Sequence, residues 1–236
     1  MCGRFTLRTP AALWGQLFLP EMRPEEIAID DPSRYNIAPT QQVACVLRES
    51  TGEPRKAERL RWGLVPPWAK ELAIGNRMIN ARGETVDSKP SFRNAFRSRR
   101  CLIPADGFFE WQKVDGGKQP FLIESAAGGV FALAGLWEEN QKVATQNQPV
   151  RSFTIITTVA NRMMSQLHDR MPVLLDPEDF DCWLDPGYRD SQALKELLVP
   201  VADDQLRMTA VSRRVNSPRY DDAECVKPIE DYLRDA

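Results

Sequence analysis

The stretch VACVLRESTGEPRKAERLRWGLV, residues 43–65, decides the fold class. A compact apolar run, VACVL, is followed by a turn-forming TGEPRK and then by RLRWGLV, in which charged and apolar residues alternate. Two runs of strand character around a Gly/Pro cluster are the grammar of a β-hairpin. Further along, FLIES (121–125) and VFALAGLW (130–137) around AAGG predict a second hairpin, and SFTIITTVA (152–160) is a strongly β-branched strand. Upstream, Leu13, Leu17 and Phe18 with Trp14, entered through Pro10 and stopped by Pro20, predict a short amphipathic helix, whereas 20–41 is proline-rich and irregular. Short helices are also expected from PEDFDCWL at 177 and SQALKELLV at 191. The pattern is that of an α+β protein with a mainly antiparallel sheet flanked by short helices. No repeat or Gly/Ser linker divides it, so residues 1–236 are expected to form a single domain.

Composition excludes several classes of function. Hydrophobic residues make up 42% and charged residues 27%, with a net charge of −2, so no global field draws the chain to nucleic acid or an anionic membrane. Any nucleic-acid contact has to come from a local patch. The five cysteines (Cys2, Cys45, Cys101, Cys182, Cys225) are dispersed, without a CxxC pair, which argues against a disulfide framework or a zinc site, and no metal or cofactor is expected. The N-terminus lacks a signal-peptide pattern and no apolar run reaches membrane-spanning length. A cytoplasmic protein is the expectation.

Four stretches set one candidate reagent each in a constrained context: MCGRF at the start, RMINARGET at 77–85, PADGFFEWQ at 104–112 and LHDRMP at 167–172. Cys2 is unusual, because removal of Met1 would leave a free α-amine and a thiol on adjacent carbons. His168 is the single histidine, either an ordinary surface or core residue or a proton carrier suited to neutral pH. Glu110 alternates away from Phe109 and Trp111, facing either water or a cleft in which burial makes it a usable acid or base. Asn80 reads as a turn cap or as a ligand-facing amide. Trp68, beside the stiff Pro66–Pro67 pair, is half-core or an outward stacking platform. The run SFRNAFRSRR, with Arg93, Arg97, Arg99 and Arg100, is a solvated face or a grip for single-stranded nucleic acid.

Taken together and in order, these motifs resemble the SOS response-associated peptidase (SRAP) family. The resemblance rests on MCGR, YNIAPTQ (35–41), RWGL and Trp68, NAR and ET (80–85), RCLIPADGF and EW (100–111), His168 with RMP, and VNSP (215–218). It covers essentially the whole chain and implies a barrel-like SRAP-type sheet. Two departures are Gly83 and Pro67, at positions where the family commonly has serine.

The resemblance implies that the protein shields abasic sites in DNA through a covalent thiazolidine crosslink. The α-amine of Cys2, freed of Met1, attacks the ring-opened aldehyde to give a Schiff base, and the thiol closes onto the imine. An α-amine suits this step, because its reference pKa of about 7.7–8.0 leaves far more of it neutral at pH 7 than a lysine with about 10.4. By the same resemblance Glu110 moves protons near Cys2, His168 serves sugar-ring opening and reversal, and Asn80 holds the abasic sugar. Arg4, Arg82 and Arg170 line the phosphate path, while Pro39 and Trp68 stack on or wedge beside exposed bases. The implied partner is single-stranded DNA, or a junction with a single-stranded end, met by a monomer. Self-processing removal of Met1 belongs to the same picture. Two alternatives stay open at this stage: a thiol peptidase acting in trans, and a non-covalent single-stranded-DNA-binding module.

Overall fold

The computed structural model describes residues 2–27, 29, 32–145 and 148–229. Strand β1 (Phe5–Leu7) leads into helix α1 (Ala11–Phe18). Strands β2 (Arg34–Ile37), β3 (Gln42–Leu47) and β4 (Lys56–Trp62) follow, then the short β5 (Asn80–Arg82). Helix α2 (Arg93–Ser98) precedes β6 (Arg100–Ala105), β7 (Gly107–Val114), β8 (Gly117–Ser125), β9 (Phe131–Thr145) and β10 (Gln148–Val159). The chain continues through β11 (Arg170–Pro172), β12 (Leu174–Leu175), α3 (Phe180–Leu184), α4 (Ser191–Glu196) and β13 (Leu206–Ala210).

The strands form two sheets. One runs β13-β8-β7-β1-β2; in the other, β10-β4-β3-β6-β9 closes into a ring because β9 also pairs with β10. The expected α+β, barrel-like architecture is therefore present. Pairing is antiparallel except where β10 runs parallel to β4 and β5, which sets Asn80 beside Ile155. Ring closure removes the open edges that a five-stranded sheet would otherwise expose. Trp62, Phe153, Leu102 and Ile155 on its strands have no solvent exposure. Each such side chain contributes about 1.5–3 kcal/mol by leaving water.

The hairpin over 43–65 forms as β3 and β4, with Val43 opposite Leu60 and Leu47 opposite Lys56. The second expected hairpin does not. FLIES belongs to β8, paired with β7 and β13, while VFALAGLW belongs to β9 in the other sheet. AAGG instead carries the chain between sheets, with Gly128 and Gly129 both at positive φ. The true hairpin partner of β8 is β7, joined through Asp115–Gly116–Gly117, and its Asp-Gly step is itself a turn signal. Strand β2 likewise lies within the segment expected to be irregular.

Helix α1 buries Ala11, Trp14, Gly15 and Phe18, and turns Leu13 and Leu17 outward. The i, i+3, i+4, i+7 spacing of the buried set is a single helical face, and the Trp14–Phe18 edge contact at 5.9 Å secures it. Of the four apolar residues expected to mark this helix, Trp14 and Phe18 face the core, while Leu13 and Leu17 face solvent.

Arg100 is neither solvated nor available to nucleic acid. Its guanidinium is buried, donating from Nε to Trp183 O, from Nη1 to Phe96 O at 2.7 Å, and from Nη2 to Asp185 O and to Tyr188 O at 3.0 Å. Burial lowers its pKa to about 10, which still leaves it charged at neutral pH. Arg100 thus ties α2 to the end of α3. Arg100→Ala strands several buried carbonyls, and chemical denaturation should show a loss of at least about 3 kcal/mol, since hydrogen bonds to charged groups are worth about 1.5–3 each.

Candidate functional site

The N-terminal segment is fixed before it reaches the site. Thr6 pairs with Gly107 and Phe5 with Phe108, and Phe109 N–H donates to Arg4 O at 3.0 Å. Cys2, three residues before β1, lies within reach of the Glu110 charge on β7. Cys2 has no solvent exposure. Burial, reinforced by the negative charge of Glu110, pushes its thiol pKa well above the ordinary range. At neutral pH the sulfur is therefore a protonated thiol.

Asn80 meets this segment from the other sheet, its Nδ2 donating to Cys2 O at 2.8 Å. Its Oδ1 is buried and has no hydrogen-bond partner among the described residues. An unsatisfied buried acceptor costs about 1–3 kcal/mol, so this oxygen is a ready partner for a hydroxyl or N–H brought in beside Cys2.

Glu110 is 3% exposed and lines a cleft of 770 Å³ that His168 lines as well. Of its two sequence-derived alternatives, the cleft is the one found. His168 follows a tight turn, its N–H donating to Met164 O at 2.9 Å. Arg170 N–H donates to His168 Nδ1 at 3.0 Å, and Asp169 Oδ1 lies 2.7 Å from the same nitrogen. One nitrogen cannot serve both at once. Without a proton Nδ1 accepts from Arg170 N–H; with one it donates to Asp169. Among the described residues no protein group bonds Nε2, and no cluster of His, Cys, Asp or Glu gathers to hold a metal.

The structure thus brings Cys2, Asn80 and Glu110 together and joins His168 to Glu110 across one cleft. The nucleic-acid residues are more scattered. Arg82 is exposed at the end of β5. Trp68 is 50% exposed, on a loop pinned by the buried Asn140, whose Nδ2 donates to Pro66 O at 2.6 Å and to Ala69 O at 3.0 Å. Pro39 is half-buried before Thr40, a β-branched residue held at φ 76°. Such a conformation is rare for threonine and marks a locally strained loop.

Arg4 and Arg170 spend their charge internally. Arg4 Nη1 donates to Asn36 Oδ1 at 2.9 Å and to Val215 O at 2.8 Å. Arg170 makes a two-pronged pair with Glu84 and also donates to Thr157 O at 2.6 Å. Arg170 in turn holds the Glu84 carboxyl below the usual carboxylate range. A phosphate at either arginine has these partners as competitors. Gly83 is buried, and a Cβ there would lie 3.2 Å from Leu198 Cβ, so a serine at this position would pack inward. Its absence therefore removes no outward phosphate ligand.

Sequence reasoning missed Asn36. Fully buried, it donates from Nδ2 to the carbonyls of Val215, Ser217 and Tyr220 at 2.7–3.2 Å while accepting from Arg4. It locks the N-terminal strand to the VNSP loop. The signal was present in YNIAPT, but its partners lie about 180 residues away in the chain.

A two-sheet β protein that gathers its second residue, a buried cysteine, with an asparagine, a glutamate and a histidine is a distinctive class. Residues 1–218 match the SOS response associated peptidase (SRAP) family, and the chain belongs to that family. It is 41% identical over 229 residues to the abasic site processing protein YoqW of Bacillus subtilis, covering 96% of this chain and 99% of that protein. It is 32% identical to the abasic site processing protein HMCES of Gallus gallus, across 78% of this chain and 61% of that one. Among solved structures, a phage-related protein from Bordetella bronchiseptica superposes with a TM-score of 0.71 at 27% identity, covering 90% of this chain and 95% of that one. A protein from Bacteroides thetaiotaomicron superposes at 0.80 with 22% identity, covering 97% and 100%, a likeness of fold.

Proposed function

We propose that this protein processes abasic sites by capturing them covalently through Cys2. The observation that carries the reading is the meeting of Cys2, Asn80 and Glu110 where β1 enters the site, with His168 on the same cleft as Glu110. Names of relatives across nearly the full chain point to the same substrate.

Met1 lies outside the described residues, and its removal is part of the proposal, because a peptide-bound nitrogen cannot attack an aldehyde. The freed amine adds to C1′ of the opened sugar, and the carbinolamine loses water to give an imine. The Cys2 sulfur then adds to the imine carbon while the thiol proton passes to nitrogen, closing a five-membered thiazolidine. Overall, aminothiol and aldehyde give the ring plus one water. Because the thiol is protonated, a nearby base has to take its proton, and Glu110, whose charge acts on Cys2, is assigned that step. His168 assists opening of the sugar hemiacetal, and Asn80 Oδ1 accepts from the substrate. A thiol kept protonated by burial is poorly suited to attack external peptide bonds. The damaged nucleotide must be unstacked to reach Cys2, which favours single-stranded DNA or a single-stranded end at a junction. A monomer working in the cytosol completes this reading.

The test is intact mass spectrometry of the purified protein before and after addition of an oligonucleotide with one abasic site. The expected product lacks Met1 and has gained the mass of the oligonucleotide less one water. A Met1-free protein that gains no such mass refutes the proposal.

A further inference from the structure

A polyanionic strand approaching a chain of net charge −2 needs local positive charge, and Arg4 and Arg170 are already engaged within the fold. Two other cations line the cleft of Glu110 and His168, Lys113 and Lys118. They face each other directly across the β7–β8 hairpin. Both are exposed, and among the described residues neither makes an ion pair. Asp115, at the turn between them, is paired with neither. Like charges directly opposite on adjacent strands are destabilising, so this pair is a cost to the free protein that an anion between the ammonium groups relieves. By strand alternation the lysines leave the hairpin on the Trp111 side, and Trp111 is itself fixed there by Nε1 donating to Asn216 Oδ1 at 2.7 Å. They therefore rim the outer end of the cleft and leave its Glu110 face to the reacting sugar.

We propose that Lys113 and Lys118 form a phosphodiester-binding rim that holds the DNA backbone flanking the captured nucleotide. The proposal rests on the reading of DNA as substrate. It assigns the β7–β8 hairpin a role in affinity and strand path, separate from the chemistry at Cys2. The hairpin tip suits this role, since Gly116 and Gly117 at positive φ form a tight turn that adds no bulk beside the strand.

The experiment uses the full-length protein and a fluorescent single-stranded oligothymidylate without any abasic site, titrated by anisotropy between about 50 and 200 mM salt. Lys113→Gln with Lys118→Gln should weaken binding about tenfold at the low-salt end and flatten the plot of log affinity against log salt. The slope should fall by about 0.7 if the lysines share one phosphate and by about 1.4 if each holds its own, because each phosphate neutralised on a single strand contributes about 0.7. Lys56→Gln, which removes a cation already paired with Glu49 and Glu58, should leave the slope unchanged. Thermal melting checks that the variants are folded. An unchanged slope in the folded double variant overturns the rim. Covalent capture of an abasic oligonucleotide by the wild type is read separately, so its failure would remove the function and leave the slope result standing as its own answer.

Discussion

Cys2→Ala should abolish stable capture of an abasic oligonucleotide while leaving an imine that borohydride traps. The α-amine survives this substitution, so the first addition is still available. What disappears is ring closure. Closure is intramolecular, with sulfur and imine carbon held within one small ring, and oriented reactions of this kind reach effective molarities of about 10⁵ M or more. No external thiol at millimolar concentration replaces that advantage. The yield of product surviving denaturing electrophoresis should fall at least about a hundredfold, and strand scission by β-elimination should rise as the unprotected imine persists. Because Asn80 holds the backbone carbonyl of residue 2 rather than its side chain, the alanine variant keeps its N-terminus in place. Wild-type yield from the folded Cys2→Ala protein would remove Cys2 from the chemistry.

The parts of the molecule that sequence conveyed well are those whose chemistry is local. Residues 43–65 contain both strands and the turn that joins them, so β3 and β4 were legible together. FLIES and VFALAGLW were equally legible as strands, yet alternation fixes a strand's two faces and leaves its partner open. Their assignment to different sheets follows from pairing with β7 in one case and β6 in the other. The site shows the same division. Cys2, Asn80, Glu110 and His168 announce themselves because each is a reagent in a constrained setting. Arg4, Arg100 and Arg170 look alike in sequence as cations, and only tertiary structure shows that their partners are Asn36 and Val215, four carbonyls, and Glu84. Lys113 and Lys118 carried no motif at all; what distinguishes them is register across a hairpin that sequence reading had assigned elsewhere.

Glu110→Gln separates the two bonds formed at Cys2 by their pH dependence. In the wild type, imine formation needs the neutral amine, so the rate should rise about tenfold per pH unit below pH 7 and level off near the α-amine pKa of about 7.7–8.0. Burial first, and Glu110 second, keep the thiol protonated through that range, so no further rise from thiolate formation should appear near pH 9. Ring closure, as proposed, should therefore depend on an internal base at every pH sampled. Replacing Glu110 by glutamine removes that base, and closure should slow by about 10²–10⁴, the usual contribution of a positioned general base. The imine accumulates and becomes trappable. The substitution also removes a negative charge that raises the thiol pKa, so that pKa moves down, although burial still holds it above its ordinary value. Rapid-quench sampling with and without borohydride resolves imine from thiazolidine across the pH series. Closure within threefold of wild type at pH 7 would place the proton transfer on a group other than Glu110.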